Sequence, residues 1–532
     1  MSASSSQTPK HRRDDEPSGH RASVDDQGPS SPPDEHSRLL TNRTDTGREN
    51  RPTREFLDPD DPAVSPYNLC SIRLLRYLTI FFAVLTFVWW VILLVSAFAT
   101  PPGFHLKGSG FLALSFTSLN MANMIFTLTF FRVPSRALRV LTIVIAAVLA
   151  LDMILVSSVS RIRYEEGWVG VTSVVWTLLL SLWTLSVDRV VQWGKAEEEE
   201  RLTGRAETRR SLTEWGAVTV STVAYSIMAI AVLLITMTLI LRAVDAAVRP
   251  PGELYWVDSD AFRLHLYCSG DKTDSDGEPV TTVLFEGGER TVESGLWDLA
   301  DRAVQNGSIA RYCFVDRPGL GWSDAAPSPT SAGIIVDSVS EALVKAGETG
   351  PWVLAGAGVG SLYSRVFSAR HSHNVRGMLL MDPLHEDLLG PLARPGRGFM
   401  LWLRGVMSPL GLDRLPGAIF KGRTSRDRIY GRSAQQGSKF TFAKLQESLV
   451  LNSFTRRDVE SARQIQERDM PLVVVSSGRE VRRSDRWAEK QRDLTRLTDK
   501  LLHWDLVEDA PHEVWRTTEG RQRIEKRLKQ LV

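Results

Sequence analysis

Leu354-Ala355-Gly356-Ala357-Gly358-Val359-Gly360-Ser361 has the spacing of a nucleophile elbow, the G-x-S-x-G turn that exposes a serine between a strand and a helix. The chemistry of such a turn is acyl transfer. The serine hydroxyl attacks a carbonyl, and preorganised N–H donors stabilise the oxyanion. Here the serine position holds Gly358. The small residues that permit the tight turn are kept, while the attacking atom is missing. Ser361 and Ser364 follow on the predicted helix, where a hydroxyl would miss the strand-end position. Gly356-Ala357-Gly358 also begins like a dinucleotide loop, but Ser361 stands where G-x-G-x-x-G needs its third glycine. No nucleotide cofactor is expected, and no His/Cys set at ligand spacing implies a metal.

The elbow must be positioned by a sheet. Residues 250–532 have the mixed composition of a soluble domain, opened by Pro250-Pro251-Gly252. Short apolar runs at Phe262–Tyr267, Thr282–Phe285, Arg311–Val315, Trp352–Ala355, Met378–Met381 and Pro471–Ser476 predict strands. Helical stretches such as Gly333–Lys345 and Ser361–Ala369 lie between most of them. This alternation predicts a mostly parallel sheet with helices on both faces.

The motifs of residues 255–532 resemble the α/β-hydrolase family. Asp316-Arg317-Pro318-Gly319-Leu320-Gly321-Trp322-Ser323-Asp324 is similar to the family's D-R-x-G-x-G-x-S-D segment, and Phe285-Glu286-Gly287-Gly288 resembles its oxyanion turn. Met381-Asp382-Pro383 and Ala510-Pro511-His512-Glu513 follow in the family's order. The resemblance implies His512 as base and N–H groups of Val359 and Gly288 as oxyanion donors. Asp382 is one candidate for the orienting acid. Glu480 and Asp485 are others, because Gly478-Arg479-Glu480-Val481 lacks the aspartate usual after strand seven. The resemblance also makes residues 388–460 a cap insertion. That segment carries thirteen Lys or Arg against five Asp or Glu, and an apolar stretch, Phe399–Leu403, edged by Arg397 and Arg404. It reads either as a cap helix over the pocket or as a basic amphipathic helix on anionic lipid.

The N-terminal half has a different character. Residues 1–72, rich in Ser, Pro, Asp and Arg, predict a disordered tail. Uncharged runs at Tyr77–Thr100, Gly108–Phe131, Gly167–Val187 and Trp215–Leu241, with Val140–Ser160 broken by Asp152, predict five transmembrane helices within residues 73–248. Lys and Arg concentrate on the side that carries the tail, so the tail is expected in the cytosol and residues 249–532 in a lumen or outside the cell. Asn306-Gly307-Ser308 is a glycosylation sequon, and Glu35-His36-Ser37-Arg38-Leu39-Leu40 matches an acidic dileucine sorting signal. Cys268 and Cys313 fall near predicted strand ends, as a disulfide or as two buried thiols. The hydrolase resemblance places those strands side by side. Asp152 is read as a proton or ion site, or as a neutral or hydrogen-bonded acid facing polar residues such as Asn120 or Asn123 of the neighbouring span. The layout resembles a fungal group of integral membrane proteins, sometimes labelled mitochondrial. A vacuolar or other endomembrane location is favoured over the mitochondrial one.

The 532 residues carry net charge +2, which gives no case for nucleic acid. The leading expectation is a membrane-anchored hydrolase-fold protein that binds a lipid-like ligand or a protein partner without hydrolysing it. The alternatives are an ester hydrolase using His512 with a non-standard nucleophile or water, and a transporter or channel regulated by the soluble domain.

Overall fold

The computed structural model describes residues 69–204 and 212–532. The residues Glu35, Leu39 and Leu40 lie outside the described residues. Five helices come first: α1 (Cys70–Ser96), α2 (Phe111–Thr129), α3 (Arg136–Ser158), α4 (Ser160–Thr203) and α5 (Leu212–Ala246). Each is long and apolar enough to cross a membrane. α4 is longer than its apolar run. It begins at Ser160 and is interrupted at Gly167, whose φ of 57° only a glycine adopts cheaply. Trp176 and Trp183 of α4 donate to Thr86 and Thr79 of α1 at 3.0 and 3.1 Å, so their helical spacing serves packing across the bundle.

Asp152 is fully buried in α3. It finds neither Asn120 nor Asn123. Thr236 of α5 is the polar side chain that approaches it. Asn123 instead bonds Thr184 of α4 at 3.0 Å and accepts from Tyr225 of α5 at 3.1 Å. The expected pairing fails because α3 packs chiefly on α4 and α5 rather than on α2.

The remaining chain forms one eight-stranded sheet in the order β1-β2-β4-β3-β5-β6-β7-β8. The strands are β1 (Glu253–Val257), β2 (Phe262–Ser269), β3 (Thr282–Glu286), β4 (Arg311–Val315), β5 (Trp352–Ala357), β6 (Val375–Met381), β7 (Leu472–Ser477) and β8 (Leu501–Val507). β2 runs antiparallel to β1 and β4; all other pairs are parallel. Alternation along β3 sends Leu284 into one apolar layer and Val283 and Phe285 into the other. α6 (Leu296–Gln305) covers one face; α7 (Ala332–Lys345) and α8 (Gly360–Arg370) cover the other. This is the α/β-hydrolase fold, preceded by a five-helix transmembrane bundle. The sequence reading missed β1 and β8. Both are edge strands with mostly exposed or half-buried side chains, so they carry no continuous apolar run.

The antiparallel register of β2 and β4 sets Cys268 directly opposite Cys313, with Cα atoms 4.1 Å apart, and the two are joined by a disulfide. Asn306 is exposed just after α6, where its amide donates to Glu525 at 2.8 Å.

Bundle and sheet domain meet through charged and polar contacts. Asp245 at the end of α5 accepts from Arg414 and Arg428 at 2.5 Å each. Tyr164 donates to Asp324 at 2.8 Å, and Arg263 holds the same carboxylate at 2.9 Å. Asp324 is the last residue of the Asp316–Asp324 segment, so the loop that resembles the family motif also docks the domain on the bundle.

The free cysteine is Cys70, which is exposed. Alkylation of the denatured, unreduced protein should therefore modify one of the three cysteines, and all three after reduction. Three alkylated positions before reduction would contradict the disulfide.

Candidate functional site

The site lies at the carboxyl ends of β3, β5 and β6. β5 is buried along its whole length, and the chain turns at its end into α8. The turn needs small residues. A Cβ on Gly360 would lie 2.4 Å from the Gly287 oxygen, and one on Gly356 would lie 2.6 Å from Ser364 Oγ. Gly358 itself has φ +50°, the strained geometry of an elbow. Its N–H donates to the Met381 oxygen at 3.0 Å, and its carbonyl accepts from Leu384 N at 3.0 Å.

A Cβ on Gly358 would lie 2.9 Å from His512 Nε2. The imidazole therefore reaches into the space where a nucleophile's side chain would begin. Behind it, His512 Nδ1 stands 2.6 Å from Asp382 Oδ2. Asp382 follows β6, is fully buried, and has φ +42°. Its other oxygen accepts from Ser477 N at 3.0 Å and Trp487 Nε1 at 3.3 Å. The Trp487 ring meets the His512 ring edge-on at 5.9 Å. Three donors thus fix the carboxylate, and the carboxylate fixes the imidazole. Glu480 and Asp485 do not take the orienting position; Glu480 lines the pocket instead. Sequence reasoning missed Ser477 and Trp487, whose only signal is their position at the end of β7 and beyond it.

The expected oxyanion donors lie on either side. Neither Val359 N–H nor Gly288 N–H donates to another described residue. Gly288 Cα would be 3.9 Å from a Cβ on Gly358. The buried Arg317 guanidinium holds this turn from behind, donating to the Gly287 oxygen and, at 2.7 Å, to the Gly288 oxygen. Arg317 is held in turn by Glu447 of the cap at 3.1 Å. Ser361 is no substitute nucleophile. Its hydroxyl is buried and donates to the Gly358 oxygen at 2.6 Å. Ser364 is also fully buried, beneath Gly356.

The pocket above the dyad has a volume of ≈ 390 Å³. Glu289, Arg290, Gln435, Glu480, Glu513 and His512 line it. Burial opposes the imidazolium form of His512. The Asp382 hydrogen bond and charge, with Glu289 and Glu480 further out, outweigh burial and raise the pKa above its ordinary 6.5.

A second cluster is formed only by the fold. His265, Glu293 and Asp316, all buried, bring their ligand atoms within 4.8 Å of one another. His265 Nε2 accepts from Gly252 N at 3.3 Å, so its Nδ1 carries the proton donated to Asp316 at 2.9 Å. A protonated Nδ1 cannot ligate a metal. Burial, then the Asp316 charge, push the Glu293 carboxyl well above the usual carboxylate range.

Residues 35–268 match a family model described as a region of unknown function (DUF2417). An uncharacterised protein of Schizosaccharomyces pombe is 33% identical over 478 residues, 84% of this chain and 89% of that protein. An uncharacterised vacuolar membrane protein of Saccharomyces cerevisiae is 28% identical over 386 residues, 61% of this chain and 59% of that protein. Among solved structures, an enol-lactonase from Burkholderia xenovorans is 16% identical, covering 52% of this chain and 99% of that chain with a TM-score of 0.36. A thermophilic esterase from Thermogutta terrifontis is 16% identical, covering 53% and 99% with a TM-score of 0.36.

The raised His512 pKa sets a pH dependence. The stability that the pair contributes is complete below the unfolded value, about 6.5, and is lost as pH rises through the higher folded value. The difference in thermal midpoint between the native protein and His512→Gln should therefore shrink as pH is raised above about 6.5. A difference independent of pH would contradict the ion pair.

Proposed function

The chain belongs to the family of fungal membrane proteins that includes its Schizosaccharomyces pombe relative, and on that footing we propose that it is a membrane-anchored hydrolase-fold protein that binds a ligand without forming an acyl-enzyme. One observation carries this reading. Position 358 has no side chain, and His512 Nε2 stands 2.9 Å from the place where a Cβ would lie. A serine hydrolase stripped of its serine loses on the order of 10⁶ in turnover. The remaining groups can still bind. The N–H groups of Val359 and Gly288 offer donors to an oxygen, and His512 offers a proton at pH values below its raised pKa.

The pocket lining turns the expected lipid-like ligand toward a polar one. Glu289, Glu480 and Glu513 outnumber Arg290, which itself faces Glu513 at 3.7 Å. A small polar ligand bearing a positive group, or a protein segment presenting one, fits this charge balance. The volume lies within the usual range for small-molecule sites, roughly 300–1,000 Å³. The naming of the Saccharomyces cerevisiae relative supports a vacuolar membrane location. The Lys and Arg bias supports a cytosolic tail with the sheet domain on the lumenal side.

A second reading draws on the 2.6 Å Asp382–His512 contact. In it, His512 activates a water beside the oxyanion donors. General-base catalysis contributes ~10²–10⁴ in rate. The two readings separate in one assay. The full chain in lipid vesicles should turn over short-chain esters no faster than its His512→Ala variant. A rate that falls about a hundredfold or more on that substitution would establish the second reading instead.

A further inference from the structure

We propose that the cap segment Pro395–Phe420 is embedded in the membrane leaflet, its outward face and the groove beside α1 occupied by lipid acyl chains. The segment begins with a helix, Pro395–Met407, and continues through a short helix, Arg414–Phe420. From Phe399 to Met407 its side chains are apolar all round except at Arg404 and Gly405. A helix apolar on every side is one surrounded by apolar material on every side.

Protein supplies only half of that surrounding. Leu401, Trp402 and Val406 pack on a cluster containing Leu93 of α1 and Phe111 and Leu114 of α2. Gly405 lies flat on the Phe111 ring, where a Cβ would come within 2.2 Å. The opposite face is uncovered: Phe399, Met400, Leu403 and Met407 are 58, 60, 38 and 41% exposed. Ile419 and Phe420 continue that surface at 69 and 83%.

Contacts with the spans fix its depth. Ser115, inside α2, donates to the Val406 oxygen at 3.3 Å. Gly411 abuts Thr238 of α5, and Leu410 packs into the core of the bundle. Thr238 precedes Arg242, the first charge after that apolar run, by about 6 Å at 1.5 Å per residue. The segment therefore sits at the level of the hydrocarbon boundary rather than above it.

Lipid is the occupant because this face is continuous with the lipid-facing side of α1. An apolar groove of ≈ 530 Å³ lies between Leu94 of α1 and Phe98 just after it on one side and Phe399 and Trp402 of the cap on the other. Val91 and Val95 of α1 are exposed alongside it. Residues 395–412 contain no Asp or Glu. Arg394, Arg404 and Lys421 are exposed at the edges, placed to reach anionic headgroups while their stems stay in the apolar layer.

The test is spin-label depth measurement on the full chain in phosphatidylcholine–phosphatidylserine vesicles. Nitroxides are attached at Met400→Cys or Phe420→Cys in a Cys70→Ser background. Both native side chains are exposed, so replacing them disturbs no packing. A label at Val344→Cys, 70% exposed on α7, provides the aqueous reference. The expected result is a reversal of sign: the cap labels collide with oxygen in preference to the aqueous nickel reagent, and the Val344→Cys label does the opposite. Cap labels that behave like the reference would overturn the proposal. So would labels protected from both reagents, which would mean that a second protein surface covers the face.

Discussion

Space at the end of β5 is the constraint on which the site depends. Gly356, Gly358 and Gly360 each face an atom closer than 3 Å to the place a Cβ would take. For Gly360 the neighbour is the Gly287 carbonyl, so the turn after β3 and the turn after β5 are locked together. For Gly358 it is the ring of His512. The first contact joins the turn that carries Gly288 to the turn that carries Val359. The second sets an imidazole held by a buried carboxylate beside a position that has no hydroxyl. The end of β5 thus keeps the Asp382–His512 contact beside a position that carries no side chain.

The same scaffold is tied to the membrane by its own loops. Arg317 braces the Gly287–Gly288 turn, while Asp324, at the far end of the same segment, is held by Tyr164 of α4. Arg317 also reaches Glu447, on the cap helix Ser438–Val450. That helix binds the loop after α1 through Gln446, which donates to the Ala97 oxygen at 2.8 Å. Bundle, cap and oxyanion turn are therefore linked through short chains of hydrogen-bonded side chains. The Arg317–Glu447 pair lies directly behind the Gly287–Gly288 turn, so the turn is physically connected to the bundle.

Much of the fold was legible in the sequence, because apolar runs report burial. The five helices and six of the eight strands announce themselves this way. β1 and β8 do not, since edge strands such as Leu501–Val507 alternate without an apolar run. The site was legible in part. Gly358 and His512 stand in recognisable patterns. The choice of Asp382 over Glu480 depends on where β6 ends relative to β7, and on donors from Ser477 and Trp487 that only the folded chain brings near. Asp316 stands in a recognisable motif, but its meeting with His265 and Glu293 was not legible in the sequence, because the three come from separate segments. The neighbour of Asp152 was not legible for a related reason: spacing along a helix gives its face but not which element that face meets.

The central claim is chemical and concerns one position. The most direct measurement is the intact mass of the full chain after treatment with a fluorophosphonate probe, beside that of Gly358→Ser. The account predicts an unmodified mass for the native protein and one added phosphonyl group for the variant. A phosphonyl adduct on any residue of the native chain would contradict it.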